Sequence, residues 1–302
     1  MNFDRQQLET FSVVIETRHF GRAANVLNVT RGAVSQRMIA LEEALGVPLL
    51  VREGMMPTPA GETLLRHIKA LNLLEADTLK RIKPDEKWRA RIAVAVNADS
   101  LATWFEPVAF AIAKEDFSME LIVDDQDHTL SVLRRGEAMG CISTAATSPT
   151  GFVAEFIGAM EYECVAAPGF ANDHLPQGLT LHDILAAPAV LFNRKDRLHD
   201  IFLERLLGFA VSGYPAHFFP SPVALLRAVQ AGVGYGLVPS FQTKTLIDAG
   251  DVLSLAPHLR VSVDLYWHHW KVAPPNVQAV TALIIRFAQE ALIQSAPQPG
   301  QV

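Results

Sequence analysis

Residues 20–61 read FGRAANVLNVTRGAVSQRMIALEEALGVPLLVREGMMPTPAG, and their spacing decides the fold of the N-terminal part. Two short apolar-periodic segments, 22–27 and 31–45, are separated only by Asn28, Val29 and Thr30. Two helices joined by so tight a connection make a helix-turn-helix. On the second helix Val34, Met38, Leu41 and Leu45 recur at steps of four, three and four, so they form one buried stripe. Thr30 stands at the N-cap position, with a hydroxyl for the first unpaired backbone amides. The outward side chains of the first turns are then Arg31, Gly32, Ser35 and Gln36. These suit a major groove, because Arg forks onto guanine, Gln onto adenine, and Ser onto either. Gly32 lowers helix stability by roughly 1 kcal/mol against Ala; it either lets the backbone approach DNA or is neutral drift.

Working outward, residues 5–17 predict a first helix with Leu8, Phe11, Val14 and Ile15 inward. Residues 48–52 and 55–58 can pair as a short hairpin around Glu53 and Gly54, a wing with Arg52 near its tip, placed for a minor groove or its phosphates. Residues 59–82 predict one long helix opened by Pro59, with Leu64, Leu65, Ile68, Leu71, Leu74, Leu79 and Ile82 on a broad apolar side. So long a helix with few partners nearby calls for another helix against it. Residues 83–89, KPDEKWR, read as a hinge.

The pattern AAxxLxVTxxAVSQRxxxLEExLGxPLLxR followed by PTPAG, spanning residues 8–82 with its flanks, resembles the winged helix-turn-helix of LysR-type transcriptional regulators. VAVNADSLATW (94–104), LRRGEAMGCIS (133–143) and LYWH (265–268) resemble the lysine- and arginine-responsive ArgP/LysG subgroup, which controls basic amino-acid export. The resemblance implies a homodimer through antiparallel linker helices, a homotetramer, double-stranded promoter DNA with inverted repeats, a small-molecule effector, and RNA polymerase as a candidate partner. It implies no cofactor. Within it Thr30 and Arg37 fall to phosphate contacts, which position without reading sequence. Arg31–Gly32 replaces the Gln-Ser usual in the subgroup, so the operator is expected to differ.

The domains expected are 1–58, a winged helix-turn-helix; 59–88, linker helix and hinge; and 89–302, an effector domain. Its lobe 1 is expected over about 89–160 and 265–302, and its lobe 2 over about 161–264. Composition agrees with a multidomain globular chain: 302 residues, half of them apolar, with net charge −6. The charge is uneven. Residues 1–90 hold 13 Lys or Arg against 11 acids, the remainder 13 against 21, and between Arg18 and Arg52 there are five Arg against two Glu. That modest basic patch lies on the helix-turn-helix, where the local field matters to phosphates. The N-terminus carries acids and lacks an apolar h-region, so no secretory signal is expected. The two cysteines, 23 residues apart, suggest neither a disulfide framework nor zinc, and the expected location is the cytoplasm. The scattered histidines give no metal set.

After residue 90, strands and helices alternate: strands at 91–96, 120–123 and 139–143, helices at 100–113 and 130–135. A second set begins with a strand at 162–167 and continues with 189–192, a helix at 198–207, 216–219, a helix opened by Ser221, and a strand at 237–238. A strand at 261–270 and a helix at 276–294 close the chain. This alternation predicts a mostly parallel α/β sheet; the resemblance makes it a two-lobed, periplasmic-binding-protein-like domain, the chain crossing near 158–162 and 259–265.

Ligands of such sheets bind at strand carboxyl ends against helix N-termini. Asn97-Ala98-Asp99-Ser100 is such a place: the amides near Ser100 and Thr103 suit a carboxylate, and Asp99 suits an ammonium. The alternative is that Ser100 merely caps the helix and Asp99 supports the turn. Asp124 and Asp125 follow the next strand, as a solvated loop or as holders of a distal cation. Ser143, Thr144 and Ser221 complete the effector candidates, and Trp104 lines the pocket or belongs to the core. No GxSxG, HExxH or P-loop is present, and GVGYG lies at a helix end before a strand, so no enzyme is expected. Two alternatives stand beside a lysine- or arginine-controlled regulator: one with another effector and other genes, and a solute-binding protein or α/β enzyme with an N-terminal dimerisation module.

Overall fold

A computed structural model describes residues 3–83, 90–115, 117–123 and 126–294. The expected hinge, apart from Lys83, and the candidates Asp124 and Asp125 lie outside the described residues.

The head is built from α1 (Arg5–Thr17), α2 (Phe20–Val26) and α3 (Arg31–Leu45), followed by the wing strands β1 (Leu50–Val51) and β2 (Met56–Pro57). Asp4 caps α1 and Thr30 caps α3, its hydroxyl oxygen accepting from the Ala33 amide at 3.1 Å. The wing pairs Leu50 with Pro57 and Val51 with Met56. The Glu42 carboxylate of α3 accepts from the amides of Leu49 (2.7 Å) and Leu50 (3.3 Å), which ties the second helix of the motif to the base of the wing. Phe11, Val14, Val34, Met38, Leu41 and Leu49 are buried together with Leu64, Leu65 and Ile68 of α4 (Pro59–Ile82), so the linker helix completes the head's core. The anticipated apolar side of α4 divides, however. Leu74 and Ile82 are 44% and 68% exposed, while Leu73, absent from that expectation, is buried in the core of the effector part.

Lobe 1 contains β3 (Ala90–Val96), α5 (Ala98–Ser100), a π-helical turn (Leu101–Phe105), α6 (Glu106–Lys114), β4 (Phe117–Val123), α7 (Gln126–Arg134) and β5 (Gly140–Ser143). Then comes β6 (Phe152–Ala166), a 15-residue strand that starts ten residues before the one expected from sequence. Its apolar residues are interrupted by Glu155, Gly158 and Glu161, so periodicity credited only the last third. Lobe 2 follows with α8 (Pro168–His174), α9 (Leu181–Ala186), β7 (Ala189–Leu191), α10 (Leu198–Leu207), β8 (Ala216–Phe218), α11 (Pro222–Gln230), β9 (Tyr235–Pro239), α12 (Ser240–Ala249) and β10 (Leu253–Ser254). The chain returns through β11 (Val261–Trp270) and ends on α13 (Pro275–Ala291).

One curled sheet runs β4-β3-β5-β11-β6-β9-β7-β8, with β10 on β6. β3, β4 and β5 run parallel, as do β7, β8 and β9. But β11 is antiparallel to β5, β6 is antiparallel to β9 and β10, and β6 and β11 run antiparallel from Val261↔Tyr162 to Trp270↔Phe152, with a register shift between Leu265 and Tyr266. The sheet is therefore mixed rather than mostly parallel, because two strands that carry the chain out and back must oppose each other. No helix among the described residues is long and apolar enough to cross a membrane.

Candidate DNA-reading edge and effector cleft

Arg31, Gly32 and Gln36 are exposed at the start of α3, Ser35 is half-buried beside them, and Thr30 is exposed at the cap. A β-carbon on Gly32 would meet only the Thr30 hydroxyl, at 3.8 Å, so packing leaves this position open to a side chain. Arg37 is braced: its guanidinium donates to Gln6 Oε1 (2.9 Å) and to Thr10 Oγ1 (3.4 Å) on α1. Arg52 is exposed in the wing turn ahead of Gly54 and Met55, which both take positive φ. Sequence reading missed His19, whose Nδ1 caps α2 by accepting from the amides of Gly21 (3.0 Å) and Arg22 (3.2 Å). Histidine lies outside the usual capping set, so its role showed only in three dimensions. Between α1 and α4 runs a groove of about 310 Å³ of mixed lining, with Leu8, Val13, Ile68 and Leu71 beside the polar Arg5, Glu9, Ser12, Glu16, Asn72 and Glu75.

In the effector part, elements of both lobes meet near the carboxyl end of β3. At the end of β3, Asn97 opens α5 without a side-chain cap bond, and its Oδ1 and the Ser100 hydroxyl are buried without a hydrogen-bond partner. Ser100 therefore does not cap the helix. Thr103 is turned back onto the helix, donating to the Asp99 carbonyl at 2.7 Å. The π-helical turn that follows widens the backbone spacing beside these groups, a feature often found at functional positions. Trp104 is core: it is 3% exposed and lies edge-on to Phe105 at 5.5 Å, although its indole N–H has no partner.

Asp99 lies where the two lobes meet. Its Oδ2 accepts from the Tyr162 hydroxyl of β6 at 2.7 Å. Burial lifts its carboxyl to about 6, the Tyr162 hydrogen bond pulls the other way, and Asp196 from lobe 2 pushes it further up. Tyr162 is driven well above the usual phenol range by burial and by Asp99 beside it. Asp196 stands in the turn after β7, where Asn193 Oδ1 accepts from the amides of Lys195 and Asp196, and Asp196 Oδ1 accepts from the Leu198 amide at 2.9 Å. Gln242 of α12 reaches across the cleft and donates to the Ala102 carbonyl at 3.5 Å, leaving its own Oε1 buried and unpaired. Asp196, Tyr162 and Gln242 were not anticipated. Asp196 had a legible signal, since it follows a lobe 2 strand just as Asp99 follows a lobe 1 strand; the other two depend on how strands from both lobes meet.

The remaining candidates are placed as follows. Ser143, 2% exposed at the end of β5, accepts from the Ala145 amide at 3.2 Å, and Thr144 beside it is half-buried. Ser221 caps α11, accepting from the Ala224 amide at 3.4 Å. Neither Ser143 nor Ser221 contacts Asp99 among the hydrogen bonds of the described residues.

Comparison with known proteins agrees with this geometry. Residues 5–62 match the model for the bacterial regulatory helix-turn-helix protein, lysR family, and residues 84–289 match that for the LysR substrate binding domain. The HTH-type transcriptional regulators ArgP of Photobacterium profundum and of Pseudomonas fluorescens (strain Pf0-1) are similar to the chain at 36% and 35% identity. Each alignment covers 96% of this chain and 99% of the relative. Among solved structures, ArgP from Mycobacterium tuberculosis superposes with a TM-score of 0.85 at 34% identity, covering 97% of this chain and all of that one. Full-length LysG from Corynebacterium glutamicum with bound effector Arg superposes with a TM-score of 0.79 at 28% identity, covering 96% and 100%.

Proposed function

The chain belongs to the LysR family of regulatory helix-turn-helix proteins, and from that premise we propose that it reads an inverted-repeat promoter site as a dimer under control of a basic amino acid. It is a transcriptional regulator of the ArgP type, not an enzyme. Arg31, Gly32, Ser35 and Gln36 are assigned to base edges, Thr30 and Arg37 to phosphates, and Arg52 to the minor groove or its backbone. The solvent-facing polar edge of α3 carries this half of the reading. Ser35→Ala and Gln36→Ala are expected to reduce discrimination between operator and random DNA by about 1–3 kcal/mol each. Binding competitions over a salt series measure this, and equal losses on both DNAs would show that these residues do not read sequence.

Asp99 carries the effector half. It is a largely enclosed carboxylate that feels the like charge of a second acid, Asp196 from lobe 2. A guanidinium or ammonium between them turns repulsion into attraction, and so favours the closed arrangement by its differential affinity. The unpaired Asn97 Oδ1, Ser100 hydroxyl and Gln242 Oε1 add polar groups to the same cleft. LysG, whose structure holds arginine, supports lysine or arginine as the ligand. Thr103, Ser143, Thr144 and Ser221 stay as candidates. A homotetramer in the cytoplasm acting on genes of basic amino-acid export or metabolism completes the proposal. Calorimetry with arginine, lysine and the neutral isostere citrulline tests it, using Asp99→Asn and Asp196→Asn. Binding of citrulline as tight as arginine, or unchanged arginine affinity in both variants, would remove the acidic pair from the site.

A further inference from the structure

Linker helix α4 is clamped to lobe 1 of its own chain by a three-residue turn at the end of α7. Lys69 Nζ donates to the Glu137 carbonyl at 3.1 Å, and burial holds its ammonium below the ordinary lysine range against the pull of Glu16 and Glu137. The Glu137 carboxylate takes two hydrogen bonds from Arg135, at 2.8 and 3.2 Å, and faces Arg18 of the head at 3.8 Å. Between them Gly136 has φ +67 and lies so near the helix that a β-carbon would stand 3.3 Å from Leu65 Cβ and 3.6 Å from the Arg66 amide nitrogen. Two further anchors extend the contact: the Arg66 guanidinium lies 5.2 Å above the Phe152 ring, and Asn276 donates to the Leu73 carbonyl at 3.3 Å.

The position of this turn gives it a second role. Helix α7 starts at Gln126, just beyond the carboxyl end of β4 at the cleft, and ends at Arg134, directly before the turn. Nine helical residues span about 13 Å and do not compress. A displacement of the cleft end is therefore delivered to the end that holds Lys69 and Arg18. We infer that the Arg135-Gly136-Glu137 turn is the latch through which occupancy of the cleft changes the position of the reading head. A latch of this kind has two discrete arrangements, engaged and released, as coupling between distant sites requires. The identity of the ligand rests on the proposed function above; the latch itself does not.

The test uses full-length Lys69→Met and Glu137→Gln; the second keeps the shape of the turn while releasing Arg18 and Arg135, which guards against a folding defect in the first. Without any amino acid, hydrogen exchange over residues 65–73 is expected to be faster in both variants than in the unaltered protein. With saturating arginine, calorimetric binding is expected to persist, while the arginine-dependent change in operator affinity, of about 5- to 150-fold for typical coupling, is lost. Unchanged exchange in both variants, or an arginine response equal to that of the unaltered protein, would overturn the latch. If the unaltered protein itself shows no heat with arginine, the effector assignment falls, and exchange still decides the latch.

Discussion

Asp99 opposes the fold that holds it. Because burial lifts its carboxyl to about 6, the folded chain binds this proton more tightly than the unfolded chain, and stability falls as pH rises from the ordinary aspartate range to about 6. Above that window the ionised form destabilises by roughly 3 kcal/mol at most. Asp99→Asn is therefore expected to raise the melting temperature of the ligand-free protein at pH 8, with about half that advantage left at pH 5. Arginine affinity of the unaltered protein should fall about tenfold per pH unit below 6, as the proton competes with the guanidinium. Melting curves and calorimetry across pH 5–8 check both, and a destabilised Asp99→Asn at pH 8 would show that the carboxylate supports the fold. Asp99 was legible in the sequence because a strand-to-helix turn places it by local rules alone. Tyr162 was not, since a tyrosine in an apolar strand reads as core until the strand from which Asp99 hangs is brought beside it.

At the level of elements, the joint between wing and linker helix is the tightest fit in the head. Thr58 caps α4 by accepting from the Gly61 amide at 3.1 Å and donates to the Pro48 carbonyl at 2.7 Å. Gly61 then passes so close that a β-carbon would collide with the Leu49 carbonyl oxygen and stand 3.2 Å from Phe11 Cζ. Gly61→Ala must shift the wing or the helix, at a cost of about 1–3 kcal/mol. Expected readouts are an earlier melting transition and weaker operator binding with the α3 edge intact; unaltered melting would show that the wing yields freely. Elements of this length and periodicity, α1, α3, α4, α10 and β11, were readable to within a residue. Short helices α8 and α9 were not, because six or seven residues packed against a sheet give too few turns for a 3.6-residue period to stand out, and α12, as long as α10, buries Thr243 rather than an apolar stripe. Leu73 was passed over because its partner lies in another domain.

For the molecule as a whole, the exposed Leu74 and Ile82 leave part of the apolar side of α4 uncovered, which is where a second copy would complete the reading apparatus. Leu74→Glu is expected to sediment as a smaller species and to lose preference for an inverted repeat, while low-salt binding to random DNA persists. A dimer of undiminished affinity would move the subunit contact elsewhere. The junction between the lobes has a mechanical implication of its own. β6 and β11 stay hydrogen-bonded across the whole passage, with a single shift of register, so the lobes are not joined by slack cord. They are joined by a paired ribbon whose ladder is interrupted once, so a change of angle between the lobes is expected to concentrate at that notch, because bending anywhere else would break backbone hydrogen bonds.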